Sequence, residues 1–305
     1  KLVDSQSNIL ILTQAQLDSL GFPSFFIYGN PGPVYRVSTE GSDEDGDGSI
    51  TNPLATIQKG IDLASSGDTV LVGSGVFKGA GNKNLYLYNN TRPKRIVLMS
   101  QAGPDSTIID CEGDGRGLYL GESYYGAHDS RTVINGFTIQ NGRENRGAGL
   151  YFSGPSTSPT ITNCIIRNCI GAVSSYGDGG GGGGIQTYYG ASPTFINCVI
   201  EDNIAENGWG GGVNVSEGSP IFIKCQVTGN SAGNYGGGFH FFQGSTPTLV
   251  NCTIANNTAP TGAGIYGGGY TAYPIINISN SILWNNTPHQ IRSDSTIISY
   301  SNIQD

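Results

Sequence analysis

The sequence carries little charge, and most of that charge is acidic. Charged residues make up 12% of the 305 positions, and 23 acidic residues outnumber 15 Lys and Arg residues, for a formal net charge of −8. Beyond Leu150 the Lys and Arg residues are Arg167, Lys224 and Arg292. Proteins that follow a nucleic acid or another polyanion carry a basic stripe. We therefore expect no nucleic-acid partner and no tight binding of a polyanion by the second half of the chain.

Long apolar runs are also missing. None approaches the roughly 20 apolar residues of a membrane-spanning helix, so no membrane span is predicted. Six cysteines in 305 residues are too few for a disulfide scaffold. The chain begins at Lys1 without Met or a signal peptide, which we interpret as a processed or trimmed form. Sparse charge together with abundant Gly, Asn, Thr and Tyr favours a secreted or cell-surface protein.

A phrase of about ten residues recurs along the second half of the chain. Its copies begin at Pro159, Pro193, Pro220 and Pro247, with a degenerate copy near Ser281. Clusters of glycine lie between the copies. The 27-residue interval of the later copies is too short for helical repeats or propeller blades, but it suits one coil of a β-solenoid. Parallel connections are overwhelmingly right-handed. The sequence therefore predicts an all-β fold, a single-stranded right-handed parallel β-helix.

Alternating hydrophobicity predicts two strands in each coil. Within the run 247–257, Thr248, Val250, Cys252 and Ile254 are predicted to share the inward side, with Leu249 on the other side. The run after each glycine cluster alternates in the same way. One cysteine falls at the same place in each phrase, and we predict an inward column of unpaired thiols, because parallel side-chain vectors disfavour disulfide geometry. These cysteines are Cys164, Cys198, Cys225 and Cys252.

Asparagines and glycines mark the predicted corners. Asparagine tolerates the left-handed conformation and can bond through its amide to the next coil, so one asparagine column is predicted as a ladder at a turn. Its members are Asn141, Asn168, Asn203, Asn230, Asn257 and Asn286. The glycine clusters predict a second corner without room for a Cβ atom. The run Gly179–Gly184 is the longest of them, and we interpret it as a mobile bulge.

The N-terminal third predicts a different organisation. Residues 1–33 are predicted as a lead-in or cap segment, and residues 34–305 as the β-helix, with regular repeats from about 135 to 305. A capping helix is predicted at about 53–65, with Asn52 as N-cap and Pro53 at its first position. Such a helix can cover the end of a β-helix and stop edge-to-edge association.

The same region carries a family resemblance. Gly41-Ser42-Asp43, Thr56-Ile57-Gln58 and Gly67-Asp68-Thr69 resemble the opening of secreted right-handed β-helix proteins of the pectate-lyase-like superfamily. The later coils resemble the Gly-Gly-rich and Asn-rich repeats of bacterial surface proteins, including polymorphic outer-membrane proteins. The resemblance implies a secreted, bacterial β-helix. It implies no single activity, because the superfamily holds lyases, hydrolases and inactive adhesins alike. The final coils resemble those that precede a C-terminal anchor, which implies a further domain or self-assembly.

An acidic loop near the start offers a possible metal site. Asp43, Asp45 and Asp47 alternate along DEDGDGSI, and hard oxygen donors at every second position can wrap one Ca²⁺ ion. Counted from Asp43, the twelfth loop position, where an EF-hand has Glu, is Leu54. The alternative is a solvated acidic turn before the capping helix. Both interpretations remain open on the sequence, and Ca²⁺ is the one cofactor it suggests.

The outward side chains of the strand after each glycine cluster predict a glycan-binding strip. Amide, hydroxyl and aromatic side chains recur there at the spacing of the coils and are suited to stacking on sugar rings and bonding their hydroxyls. An ordinary outer sheet face is the alternative. The predicted strip consists of Tyr151, Gln186, Tyr188, Asn214, Ser216, His240, Phe242 and Tyr266, with Ser153 beside them.

Catalysis has fewer candidates. A lyase would need a base, for which Lys224 and His240 are available on different strands, with Glu217 in the coil before His240. No Asp/Glu cluster accompanies either base. The sequence therefore favours an extracellular surface or adhesive module that binds polysaccharide or a cell-surface glycan. The alternative is a polysaccharide-degrading enzyme, either a pectate-lyase-like lyase or a glycoside hydrolase.

Overall fold

The computed structural model describes residues 32–89, 92–123, 126–172 and 181–304. The predicted lead-in up to Pro31 lies outside these ranges, as do Gly179 and Gly180 of the six-glycine run. Gly32–Asp305 forms one compact unit. Within the described ranges no helix is long and apolar enough to cross a membrane.

Parallel strands wind into three long sheets that run the length of this unit. In the described residues the first sheet has ten strands, the second nine and the third nine. The first sheet consists of Val34–Val37, Thr69–Val72, Val97–Ser100, Val133–Asn135, Thr160–Thr162, Thr194–Ile196, Ile221–Ile223, Thr248–Val250, Ile276–Ser279 and Thr296–Ser299. The second consists of Gly75–Phe77, Thr107–Asp110, Thr138–Gln140, Ile165–Arg167, Val199–Glu201, Gln226–Thr228, Thr253–Ala255, Ile282–Trp284 and Asn302–Ile303.

The third sheet follows the glycine clusters and carries the candidate site. It consists of Leu85–Tyr86, Leu118–Ser123, Gly126–Ala127, Leu150–Ser153, Ile185–Tyr188, Val213–Ser216, Phe239–Phe242, Ile265–Gly268 and Ile291–Arg292. A fourth, narrow sheet joins Arg143–Glu144, Ile170–Gly171, Ile204–Ala205 and Ser231–Ala232, and a short hairpin joins Tyr88–Asn89 to Arg92–Pro93. Almost all pairs are parallel, and residues one period apart pair in register, such as Val213 with Phe239. The predicted right-handed parallel β-helix is confirmed.

The recurring phrase forms two strands and not the single strand predicted. In its fourth copy the chain turns at Asn251, whose φ is 55°, between Thr248–Val250 and Thr253–Ala255. The left-handed residue adds one outward position, so Leu249 is fully buried while Thr248 and Val250 are only partly buried. The predicted inward position of Thr248 and Val250 and outward position of Leu249 were therefore wrong. Cys252 and Ile254, beyond the turn, face the core as predicted.

The cysteine column is confirmed. All six cysteines, each in the described part of the chain, are buried and unpaired. Each thiol of the column donates to a backbone carbonyl of the preceding coil, as Cys225 Sγ does to Phe195 O at 3.6 Å. Burial raises the pKa of the Cys164 thiol to about 11. These cysteines therefore act as small core residues.

The predicted asparagine column divides into two adjacent columns. Asn203, Asn230, Asn257 and Asn286 form a buried ladder: Asn230 Oδ1 accepts from Asn203 N and Nδ2, both at 3.0 Å. Asn141 and Asn168 do not belong to it. They lie one position earlier, in a left-handed column with φ of 58° and 53°, and Cys169 takes the ladder position in the coil of Asn168. Both proposed uses of asparagine occur, but in separate columns.

Glycine makes room for this ladder. A Cβ atom on Gly212 would lie 3.1 Å from the Asn230 amide and 2.8 Å from Gly238 O. One glycine of each cluster has a left-handed φ, 58° at Gly182 and 65° at Gly210. The described part of the six-glycine run, Gly181–Gly184, keeps the same hydrogen-bonded register as the other clusters. These four glycines therefore form a regular corner, and the rest of the predicted bulge, Gly179 and Gly180, lies outside the described residues.

One short helix, α1 (Ile57–Leu63), packs against the first coils. Thr56 is its N-cap, since Thr56 Oγ1 accepts from Lys59 N at 3.3 Å. The predicted start at Pro53 and the predicted N-cap Asn52 were wrong, because buried Leu54 instead bridges in parallel to Val37. At the other end, buried Lys94 donates through Nζ to Ile61 O at 2.7 Å and Asp62 O at 2.8 Å.

Candidate ligand-binding face

One column of outward side chains crosses the third sheet from coil to coil. We call it the outer column. Strand pairing places its members in register, including the predicted strip residues Tyr151, Gln186, Asn214, His240 and Tyr266. The structure extends it beyond the predicted strip at both ends. The full set is Tyr86, Tyr119, Tyr151, Gln186, Asn214, His240, Tyr266 and Arg292.

The centre of the outer column is closed. Gln186, Asn214 and His240 are only 2%, 8% and 6% exposed. His240 Nδ1 donates to Asn214 Oδ1 at 2.6 Å, Asn214 Nδ2 donates to Gln186 Oε1 at 2.9 Å, and Gln186 Nε2 donates to Thr187 O at 2.7 Å. This chain of bonds satisfies the amides internally. The three residues were predicted as ligand contacts, but the structure gives them a mainly structural environment.

Two aromatic side chains cover this centre. Trp209 and Tyr235 precede the first glycine of their clusters and pair in a parallel bridge. Their rings stack beside His240 with centroid distances of 6.2 and 6.5 Å. The sequence prediction missed both residues. Their signal was available, because each coil places one residue directly before its left-handed glycine.

Burial suppresses the basicity of His240. Removal from water lowers the pKa of His240 to about 3, with no compensating charge. Its ring is also stacked on Tyr266 at 5.5 Å and on Phe242 at 5.8 Å. A base at neutral pH needs a pKa near the working pH. The environment of His240 therefore does not suit the catalytic role considered for it.

The other catalytic candidates lie elsewhere in the coil. Lys224 is an exposed corner residue with φ of 55°, between the first and second sheets, in register with Asn197 and Asn251. Glu217 is an exposed corner residue that follows the third-sheet strand Val213–Ser216. The structure therefore separates Lys224 from His240, which lies on the third sheet, and builds no base–acid pair from these residues.

The first three members of the outer column form a tyrosine ladder. Ring centroids lie 5.6 Å apart for Tyr86 and Tyr119 and 5.4 Å apart for Tyr119 and Tyr151. Arg116 lies over the Tyr151 ring at 4.9 Å and donates to Gly147 O and Arg146 O. Tyr119 and Tyr151 stack at an interplanar angle of 29°, whereas Tyr86 is tilted by 51° to Tyr119 and is 47% exposed. The stacked pair therefore presents mainly ring edges and hydroxyl groups, which suit hydrogen bonding to sugar hydroxyls better than stacking.

The second predicted column shares the face. Ser153, Tyr188, Ser216 and Phe242 are all partly exposed. Arg146 lies over the Tyr188 ring at 5.4 Å, and Tyr270 meets Phe242 edge-on at 5.2 Å. Gly268 pairs with Phe242 and continues this column without a side chain. Larger and smaller side chains therefore alternate along the face.

The acidic loop does not gather its carboxylates. Asp43 accepts from Ala55 N at 2.8 Å, Thr56 N at 3.0 Å and Thr56 Oγ1 at 2.6 Å, and so supports the start of α1. Asp47 accepts from Ser49 N at 2.8 Å. Across the described ranges no three His, Cys, Asp or Glu side chains are placed to hold a metal ion. The calcium site predicted at Asp43, Asp45 and Asp47 has no support in this geometry.

A cleft of about 220 Å³ opens at the far end of the face. Its lining includes Tyr266, Tyr273, Arg292 and Asp294 beside the backbone of Gly268. Sequence reasoning identified only Tyr266 among these residues. The loop that carries Tyr273 has no counterpart in the other coils, so the repeat gave no signal for it.

Stacked parallel sheets around a thiol column and a buried amide ladder form a parallel β-helix. Residues 97–303 match the family described as "Right handed beta helix region", and the chain belongs to that family. No curated protein sequence gives a significant match.

Similar solved structures include a pectate lyase, a rhamnogalacturonan lyase and a pectin methylesterase. Pectate lyase Pel9A is 14% identical, with a TM-score of 0.62 over 88% of this chain and 68% of its own. A rhamnogalacturonan lyase is 16% identical, with a TM-score of 0.43 over 84% and 69%. The pectin methylesterase PemA from Erwinia chrysanthemi is 15% identical, with a TM-score of 0.36 over 83% and 66%. At 14% identity the likeness to pectate lyase Pel9A shows the fold alone and leaves activity open.

Proposed function

We propose that this protein is an extracellular module that binds a neutral polysaccharide along the outer face of its third sheet. The observation that carries the proposal is the tyrosine ladder at the start of the outer column. Tyr86, Tyr119 and Tyr151 lie there in register, one per coil. Strands in a sheet lie about 4.7–4.9 Å apart, so the ladder offers regularly spaced phenol groups to an extended polymer of sugar units.

Charge favours a neutral polymer over a polyuronate. The net charge is −8, so the chain as a whole repels a polyanion. At the tyrosine ladder, Arg116 is turned to backbone carbonyls and the Tyr151 ring. The phenol hydroxyls of the ladder are neutral donors and acceptors, as sugar hydroxyls are.

Binding without turnover is the expected behaviour. The buried His240 and the distant Lys224 give no base–acid pair, and regular coils continue across the face. The fold is shared with pectate lyase Pel9A, so degradation of polysaccharide is the outcome that the experiment must be able to detect.

The test combines binding and turnover on one panel of neutral and acidic polysaccharides. Affinity is measured by calorimetry, while reducing ends and unsaturated-uronate absorbance are followed in parallel. The triple variant Tyr86→Phe, Tyr119→Phe and Tyr151→Phe keeps the ring ladder and removes its hydroxyls. Each lost hydrogen bond contributes about 0.5–1.5 kcal/mol, so we expect affinity for a neutral polymer to fall about tenfold or more.

Tyr300→Phe is the matched control, because Tyr300 is 91% exposed and lies at a corner after a first-sheet strand. It should bind as the unmodified protein does. Absence of binding to every polymer, product formation, or equal affinity of the triple variant and the control would each overturn the proposal.

A further inference from the structure

The cleft at the far end of the third sheet has its own chemistry. Its volume of about 220 Å³ is below the roughly 300–1,000 Å³ of pockets for drug-sized ligands. One sugar ring fits this scale.

A local loss of side chains opens the cleft. Gly268 occupies the position where the preceding coil has Phe242, and Gly267 pairs with Phe241. The Tyr266 ring lies over Gly268, since a Cβ atom there would be 2.8 Å from Tyr266 Cε1. The floor of the cleft is therefore backbone, and one wall is an aromatic ring.

Two opposite charges line the same cleft. Within the described chain, neither the Arg292 guanidinium nor the Asp294 carboxylate has a hydrogen-bond or ion-pair partner. Burial raises the pKa of the Tyr266 hydroxyl, and Arg292, Asp294 and Tyr273 all act on it electrostatically. These groups therefore surround one small volume. A guanidinium that donates and a carboxylate that accepts can grip adjacent hydroxyl groups of one ring.

We propose that this cleft binds a single neutral pyranose unit, with Arg292 donating to one ring hydroxyl, Asp294 accepting from another, and Tyr266 and Tyr273 as aromatic walls. The inference rests on the proposed function in that it names a subsite for the same class of ligand. It differs in requiring only one sugar unit, and in lying at the opposite end of the outer column from the tyrosine ladder.

Monosaccharides therefore test it separately from the polymer. Glucose, galactose, mannose and their methyl glycosides are titrated into the whole protein by ligand-observed NMR, with glucuronate and galacturonate as acidic counterparts. We expect at least one neutral sugar to bind and the uronates to gain no affinity over it, because Asp294 offsets the attraction of Arg292 for a carboxylate. Hydrogen bonds to charged groups contribute about 1.5–3 kcal/mol, so Arg292→Gln and Asp294→Asn should each weaken binding about tenfold or more.

Arg167→Gln and Asp105→Asn are matched controls outside the third sheet and should bind as the unmodified protein does. Polymer affinity through the tyrosine ladder should survive in Arg292→Gln. Failure of every neutral sugar to bind, or unchanged affinity in Arg292→Gln and Asp294→Asn, would overturn the subsite and leave the ladder untouched. If the ladder variant lost polymer binding but still bound the neutral monosaccharide, the single-sugar subsite would be supported.

Discussion

Replacing Asn230 by alanine should destabilise the coils on both sides of it. The side chain is fully buried and makes contacts in three coils. Its Oδ1 atom accepts from Asn203 N and Nδ2, and its Nδ2 atom donates to Ile200 O at 2.9 Å and to Asn257 Oδ1 at 3.0 Å. The Asn203 amide keeps Ile166 O as a second partner, and Asn257 Oδ1 keeps the backbone N–H of residue 230.

One buried backbone group would then lose its partner, Asn203 N–H, because Ile200 O still lies in the parallel pairing of Val199–Glu201 with Gln226–Thr228. An unsatisfied buried group costs about 1–3 kcal/mol, so the free energy of unfolding should fall by at least that amount. That loss is a large part of the roughly 5–15 kcal/mol typical of a folded protein. Equilibrium unfolding in urea measures the total. Hydrogen exchange by mass spectrometry locates it, because each coil contacts mainly its neighbours.

Asn197→Gly is the matched control. Asn197 lies in an exposed corner column with φ of 52°, which glycine adopts without strain, and it donates one bond to Asn163 Oδ1 at 2.8 Å. Its loss should cost no more than about 0.5 kcal/mol. If Asn230→Ala matched this control, or if exchange at the Asn203 amide stayed slow, the ladder would not stabilise the solenoid as argued.

Two further predictions concern buried titratable groups. All six cysteines should resist a thiol reagent in the native state, because burial raises the pKa of Cys164 to about 11 and of Cys169 to about 12. In denaturant without reductant, all six should react. A count of fewer than six reactive thiols in denaturant would contradict this prediction. His240 has a folded pKa of about 3, below the unfolded value of about 6.5, so the unfolded state binds the extra proton and stability should fall as the pH drops from about 6.5 towards 3. For one proton, the free energy of unfolding changes by up to about 1.4 kcal/mol per pH unit. The variant His240→Asn keeps a hydrogen-bond donor for Asn214, and its stability should fall less steeply with falling pH. An unchanged pH dependence in this variant would refute the assignment to His240.

The period of the repeat was enough to predict the fold, but not the position of each side chain. Alternation failed at Asn251 because a left-handed residue inserts one outward position, which moved Leu249 to the inside. The sequence prediction treated the two asparagine columns as one for a related reason. Asn168 follows its cysteine by four residues and Asn203 by five, and only strand pairing shows that they occupy different columns.

The site was harder to predict because outward direction does not mean exposure. Asn214 and His240 point away from the core, as expected, yet Trp209 and Tyr235 from neighbouring corners cover them. Contacts between a corner and a sheet depend on where each chain segment lies in space. Likewise, Tyr273 lies in a loop that no other coil repeats, so the period could not indicate its place in the cleft.

The amide ladder also limits how such a chain can change in length. Asn203, Asn230 and Asn257 recur at intervals of 27 residues, each below a glycine of the same column. Removing or duplicating one whole interval joins equivalent positions and preserves every bond between coils. A change of any other length must fall within a loop, as in the 29-residue interval from Asn257 to Asn286; elsewhere it would place an asparagine where a core residue belongs. Lineages of this protein should therefore gain or lose whole coils, and each such step would lengthen or shorten the binding face by one side chain of the outer column.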